Sequence, residues 1–351
     1  MNEPESLCRP ARRRVTRDRI LALRPEYATV SAQGVPIDTP AYAFVGKHGD
    51  TIDIATGLAY PAKAERARRN PKVGLLIEGS PSEPVVSIAA MAAVRAASIQ
   101  ANVDRYIAET IAYYDAYSGG NPWEVARKAV FYWSRIFVEC SPKRILWWSG
   151  PEAMDQPPQC WEAPAGTIFP ASDPASAGKP SKAPSWPVHD WRQPAEETMK
   201  MGFGAHLTLL DRDGFPMPIR ARSVSIVEEG FDVIVPAGVP WKIEGPATLS
   251  FIGLSTFVGT VKPGSNGPRF AVERMLPVLP MMQDSKEIWT PSEGTYKKLM
   301  ARLQEELARR GQPVPSIPQQ PPQPTQASVR RAERMAIIVQ QQAQQHGLVE
   351  G

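Results

Sequence analysis

Over much of its length the chain alternates apolar and polar residues in short runs, the period of half-buried strands. Thr51-Ile52-Asp53-Ile54-Ala55 alternates in this way, and Lys72 to Ile77 (Lys-Val-Gly-Leu-Leu-Ile) is the continuous apolar run of a more fully buried strand. The segment between them reads as a short basic helix. Pro61 suits its first position, where a missing N–H costs nothing, and Asn70-Pro71 ends it because a residue before proline is pushed out of the α region. A polar corner at Thr56-Gly57 therefore precedes a helix N-terminus that carries Lys63.

The second half repeats this outline. Ala205 to Leu210 reads as a strand, Asp211-Arg212-Asp213-Gly214 as a turn and Met217 to Val227 as a longer strand, with Glu228-Glu229-Gly230 turning into Phe231 to Val235. After Lys242 and Pro246, the strand Ala247 to Ile252 ends in Ile-Gly much as Leu76-Ile77-Glu78-Gly79 ends its own. Element by element this matches Tyr27 to Gly79 and predicts a tandem duplication. Between Pro236 and Pro246 there is no room for the basic helix, and proline stands where the threonine would be, so the second copy is expected to have lost the corner.

Helical spacing is confined to a few segments. Ser98 to Tyr117 and Pro122 to Tyr132 are two. A third follows Thr290-Pro291-Ser292-Glu293, read as a capping box with proline at the first helical position, and stops at Gly311. Its stripe of Tyr296, Met300, Leu303 and Leu307 is expected to pack on a barrel. Val329 to Gln345 is a fourth. Periodicity leaves Pro84 to Ala97 open: Val85, Val86 and Ile88 favour a strand, the alanines after them a helix.

The polar corner is the candidate chemistry. Backbone N–H groups at Ala62 and Lys63, the helix dipole, the Lys63 ammonium and the Thr56 hydroxyl would converge on an anion. The same run, Lys63, Arg66, Arg68 and Arg69, also reads as a solvated basic face.

Thr39-Pro40-Ala41-Tyr42-Ala43-Phe44, Ile54-Ala55-Thr56, Lys63, Asn70-Pro71 and Val73-Gly74-Leu75-Leu76 resemble the signature of the FMN-binding split β-barrel superfamily, which includes pyridoxamine 5'-phosphate oxidases, flavin reductases and deazaflavin-dependent reductases. The resemblance covers about residues 15 to 149 and continues through Arg135 to Glu139, Ser141 to Arg144 and Trp147-Trp148. It implies a mainly β fold with flanking helices, an antiparallel split β-barrel, here duplicated. It also favours a strand over Pro84 to Ala97. By the same resemblance Thr39 edges the flavin ring, Ala55, Thr56 and Gly57 contact the ribityl phosphate, and Lys63 pairs with it. The oxidases proper have a second basic residue before the lysine, where Ala62 stands, and an arginine on the strand of Thr39 that this chain lacks; both departures argue against pyridoxamine phosphate as the substrate.

The expected division is a basic arm at 1–14, an FMN-binding split barrel at 15–150, a proline-rich linker at 151–198, a truncated second barrel with a C-terminal helix at 199–311, and a Pro/Gln-rich tail with a helix at 312–351. The resemblance implies an FMN-dependent oxidoreductase acting on a small organic molecule. The alternatives are a deazaflavin-dependent reductase, or a non-catalytic flavin or haem carrier or scaffold. Family members place the flavin at a dimer interface, so either a homodimer or a pseudo-dimer within one chain is expected. Arg220 and Arg222, two apart and so on one face of a strand, either lean toward the cofactor or a substrate acid group from the second copy or line a solvated face. No acid or base is required by such chemistry, and no catalytic side chain is singled out.

Composition narrows the remaining classes. With 351 residues the chain can hold two domains, and much of the excess among its 37 prolines sits in Gln156 to Pro194 and Gln312 to Pro324. Cys8, Cys140 and Cys160 form no CxxC, and His48, His189, His206 and His346 lie apart, so no metal site is expected; His206 reads as a structural histidine. Nucleotide-binding glycine motifs are missing. The net charge of +4 is mild, and the arginines at 9 and 12–14 come without interleaved aromatics, so nucleic acid is not expected. No apolar run is long enough for a membrane span and no apolar leader follows the N-terminus, which makes the cytoplasm the expected compartment.

Overall fold

The computed structural model describes residues 25–345 except 79–82, 119, 182–189, 201, 203, 252–254, 265–266 and 277–285. The basic arm at 1–14, Cys8, Gly79, His189, His346 and the Ile252-Gly253 step lie outside the described residues. Strands β1 (Glu26–Val30), β2 (Pro36–Pro40), β3 (Tyr42–Val45), β4 (Ile52–Gly57), β5 (Lys72–Ile77), β6 (Val85–Arg95) and β7 (Arg135–Trp148) form one antiparallel sheet in the order β2-β1-β5-β6-β7-β4-β3, and β8 (Gln159–Glu162) adds to β7. Strands β9 (His206–Leu210), β10 (Pro216–Arg220), β11 (Ser223–Val227), β12 (Gly230–Ile234), β13 (Gly245–Phe251), β14 (Ser255–Gly264) and β15 (Gly267–Met275) form the other, in the order β10-β9-β13-β14-β15-β12-β11. Strand by strand the second order is the first.

Each sheet must also curl. Its two edge strands, β2 and β3, are joined through Ala41 alone, and β10 and β11 through Ala221-Arg222, so the chain itself draws the edges together. They do not pair with each other, which leaves the barrel split. The duplication extends to register. Val30 lies opposite Pro36 across a turn whose Gly34 has φ 77°, and Leu210 lies opposite Pro216 across a turn whose Gly214 has φ 80°. The β6–β7 ladder slips at Ala89/Ala90 and the β14–β15 ladder at Val258/Gly259, the same place in each repeat. Carrying this register to β12 sets Val233 in the place of Ile54, so Val235 occupies the position of Thr56. That is a correction: the residue replacing the threonine is valine, and Pro236 takes the place of Gly57. The turn before β12 is shorter than the one before β4, so matching the two strands by their turns does not give the register of the ladders. Between β12 and β13 no helix forms, as expected.

The segment from Pro84 is strand, the outcome the resemblance favoured. Within the first repeat the β6–β7 connection carries helix α2 (Ile99–Thr110), capped by Ser98 accepting from the Ala101 N–H, and then one-turn helices at Tyr114–Tyr117, Trp123–Ala126 and Val130–Trp133. The expected single helix over Pro122 to Tyr132 is thus two separate turns. Helix α1 is Ala62–Arg69, α3 is Arg192–Lys200, α4 is Glu293–Arg309 and α5 is Gln326–Gln345. The cap of α4 is Ser292, which accepts from Thr295 N–H, so the box starts two residues later than the sequence suggested, and Gly311 (φ 62°) follows its last turn.

The two barrels pack about a pseudo-two-fold axis. Strand β2 lies on β13 while β10 lies on β5, and β1 meets β10 while β9 meets β2. Thr248 donates to Pro36 O at 3.4 Å, and at the equivalent place Gly74 admits Pro216 O, which would stand 1.6 Å from a Cβ there. Glycine is required at Gly74 for that approach. On the axis His206 lies buried between Glu78 (2.7 Å) and Glu26 (3.4 Å), and Thr208 donates to Asp38 at 2.9 Å.

At Asp173 the proline-rich 151–198 stretch is tied to the first barrel. Asp173 accepts from the Ala96 and Ala97 N–H groups, both at 2.8 Å, and pairs with Arg95, while Arg68 donates to its carbonyl. In the tail, Gln312 bridges Ile99 N–H and the Ala96 carbonyl, and Pro318 O accepts from Trp123 Nε1. Proline-rich chain has little conformational entropy to lose, which suits a strap laid over the end of β6 and the connection that follows it.

Candidate anion-binding corner

Strand β4 leads to the corner. Its alternation buries Ile52 and Ile54 in the barrel core, and Thr56, 4% exposed, is carried with them. Gly57 pairs with Arg135 of β7, Leu58 N–H donates to Ser134 O, and the chain turns through Ala59 and Tyr60 into α1. Pro61 is the N-cap residue rather than the first helical one. Glu65 N–H donates to Pro61 O at 2.9 Å, so the N–H groups of Ala62, Lys63 and Ala64 have no acceptor within the helix.

Two half-buried cations stand on α1 near this corner. Lys63 Nζ donates to Pro40 O at 2.9 Å, and Arg66 Nε donates to the Thr29 hydroxyl at 2.7 Å. Among the described residues neither pairs with a carboxylate at ion-pair distance. Burial first, and then the Arg66 guanidinium, hold Lys63 down to about 8, against the pull of Glu26 and Asp38. Burial also lowers Arg66 to about 10. Charges withdrawn from water without a counter-charge are costly, and an anion would remove that cost. The hydroxyl oxygens of Thr56 and Thr39 are buried and without a hydrogen-bond partner. Donor N–H groups, two orphaned hydroxyls and two cations form a donor set that fits a phosphoryl group.

Arg135, from the far end of the β6–β7 connection, flanks the corner. Its guanidinium lies against the rings of Tyr106 (4.4 Å) and Tyr132 (4.3 Å) and donates to the Tyr106 hydroxyl at 3.2 Å. It contributes to the lowering of Lys63. Sequence reasoning singled out Thr56 and Lys63 but not Arg135, which lies 79 residues beyond Thr56 and carries no local signal beyond its place in a strand.

Of the other site candidates, Ala55 is buried and pairs with Tyr42 and Phe137, beside the corner. Thr39 pairs with Tyr27 on the strand that ends in Pro40, the acceptor of Lys63. Arg220 is the last residue of β10 and faces Glu78 at 3.8 Å, joining the His206 cluster. Arg222 does not share its strand face: it lies in the link to β11, where alternation no longer applies, and pairs with Asp155 at 2.8 Å. Cys140 is fully buried, and burial followed by the nearby Asp53 pushes its thiol up, so it is no nucleophile. Among the described residues no group of three or more His, Cys, Asp or Glu side chains could hold a metal ion.

No protein-family model and no curated protein matches this chain. Solved structures do. A pyridoxamine 5'-phosphate oxidase-related, FMN binding protein from Nostoc punctiforme is 13% identical over 37% of this chain and 77% of its own, with a TM-score of 0.26. General Stress Protein 26 from Bacillus anthracis is 13% identical over 41% of this chain and 93% of its own, with a TM-score of 0.28. An F420 reductase is 13% identical over 38% of this chain and 97% of its own, with a TM-score of 0.28. By its own strand order, with the two edge strands of each sheet joined by a short link, the chain is a tandem split β-barrel.

Proposed function

We propose that this protein is an oxidoreductase that holds FMN by its phosphoryl group at the β4–α1 corner of the first barrel and acts on a small organic molecule. The observation that carries the reading is that Lys63 and Arg66 on α1 are cations without a carboxylate partner among the described residues, and that the Thr56 hydroxyl at the end of β4, the strand leading into that helix, is orphaned. Bound FMN would supply the hydride and electron chemistry, which no side chain here provides. The protein's part is grip and orientation. Thr56 and the first N–H groups of α1 donate to the phosphoryl oxygens, Lys63 leaves Pro40 O to pair with them, and Thr39 offers its hydroxyl at the ring side of the corner. The second barrel, packed about the pseudo-two-fold axis and lacking its own corner, takes the place of a partner subunit. One cofactor per chain is the expected stoichiometry.

A deazaflavin coenzyme carries a phosphodiester, with a single negative charge, whereas FMN carries a monoester that is nearly dianionic at neutral pH. Two uncompensated cations favour the latter. The test is titration of the purified protein with FMN, followed by absorbance and fluorescence. Lys63→Ala is expected to weaken FMN binding by about 1.5 to 3 kcal/mol, the worth of a charge-assisted contact. Equal affinity in the variant and the parent would remove Lys63 from the site. Tighter binding of the deazaflavin than of FMN would transfer the reading to a deazaflavin reductase, and binding of neither would leave a scaffold.

A further inference from the structure

Helix α4 follows the second barrel in sequence yet returns to the first. Leu299, Leu303 and Leu307 are buried in the first barrel's core cluster, and Tyr296 meets Phe131 ring to ring at 6.0 Å. Two of its polar contacts fall on either side of Pro61. Before it, Arg302 Nε donates to Ala59 O at 2.9 Å and the Arg302 guanidinium covers the Tyr60 ring at 4.3 Å. After it, Glu65 in the first turn of α1 accepts from Arg309 at 2.6 Å and lies 3.4 Å from Arg310. The same two arginines hold Glu306, which is fully buried and also accepts from Ser181 N–H at 2.6 Å. The turn that presents the α1 N–H groups is thus gripped on both flanks by one helix from more than two hundred residues away.

We infer that α4 is a clamp that sets the geometry of the anion-binding corner, with Arg302 and Glu65 as its positioning residues. This rests on the reading of the corner as a phosphoryl site. Two physical consequences lead to it. A helix N-terminus binds an anion well only if its N–H groups are held in place beforehand, because ordering the turn on binding would cost affinity. Arg302 holds the carbonyl of Ala59, leaving that turn little freedom. An unneutralised carboxylate in the first turn of α1 would repel a phosphoryl group from about one turn away. The Arg309 and Arg310 guanidinium groups pair with Glu65 and compensate its charge.

The experiment uses the full chain with Arg302→Ala and, separately, Glu65→Gln. Hydrogen exchange of the ligand-free protein is expected to quicken over 58–66 in both variants, with peptides of the second barrel unchanged. In Arg302→Ala, which leaves the charge at Glu65 unchanged, affinity for FMN is expected to fall about tenfold while affinity for riboflavin, which lacks the phosphate, stays the same. Arg302→Lys, which keeps a donor for Ala59 O, should recover part of the loss. Unchanged exchange at 58–66 overturns the clamp. So does equal weakening of FMN and riboflavin, or loosening spread through both barrels, since either marks a general folding contact. If the parent protein binds no FMN, the phosphoryl reading fails by that result alone, while exchange at 58–66 still decides whether α4 grips the turn.

Discussion

A threonine hydroxyl buried without a partner is a small liability that most cores avoid. Thr56 bears it at the point where β4 gives way to a helix, and Val235, at the equivalent place in the second barrel, does not. Under the proposed function, the difference marks the copy that holds the phosphoryl group. It also sets an expectation at the level of one residue. Thr56→Val removes an unsatisfied oxygen and keeps the shape, so the ligand-free protein should melt at the same temperature or higher, while FMN binding weakens by about 1 kcal/mol. Loss of stability without loss of affinity would make Thr56 a structural residue. The strand end at Thr56 and the helix that carries Lys63 were legible in the sequence because a helix start is a local signal, written in Pro61 and the polar residues around it. Arg135, Arg302 and Glu65 were not legible in their roles, because each acquires its role through contacts with residues far along the chain. Nothing in the pattern of α1 says which of its charges will meet another helix.

Among the elements, the strand pattern gave the second half its resemblance to the first, and the ladders confirm it down to a shared bulge. What the pattern could not supply is the fit between barrels. Gly74 and Pro216, on β5 and β10, approach so closely that any side chain at Gly74 must displace backbone. Gly74→Ala is therefore expected to destabilise the protein by about 1 to 3 kcal/mol, as overpacking does, with the shift read from chemical denaturation. A neutral result would mean that the barrels slide past each other freely at this contact. The helices show the same division. Capping at Ser98 and the stop at Gly311 follow from sequence, whereas the break of the 122–133 helix into two turns follows from the need to seat Trp123, Phe131 and Trp133 in one core.

For the molecule as a whole, the joint between barrels is held in part by charge. Burial alone would lower His206, but Glu78 and Glu26 outweigh it and lift the imidazole to about 10. A folded-state value above the unfolded value of about 6.5 stabilises the fold fully below the latter, and that contribution is lost as pH rises through the folded value. The stability gap between the parent and His206→Gln should therefore be widest near pH 6 and close as pH approaches 10, measured by thermal unfolding at constant ionic strength. A gap that does not narrow over this range would mean that His206 is held neutral in the fold. Among the described residues no helix is long and apolar enough to cross a membrane.

By itself the sequence determined the period of the strands, the number of repeats, the start of α1 and the loss of that helix in the second copy. These follow from local preferences: alternation, proline and glycine at turns, and the length of chain between two strands. Tertiary structure alone decided the rest. It set Lys63 and Arg66 where burial leaves them without a carboxylate partner among the described residues. It folded α4 back onto the first barrel, tied the proline-rich stretches to that barrel at Asp173, Gln312 and Pro318, and placed His206 between two carboxylates on the axis. Those outcomes depend on which surfaces meet when the two curled sheets pack. Such long-range complementarity leaves no periodic trace in the chain.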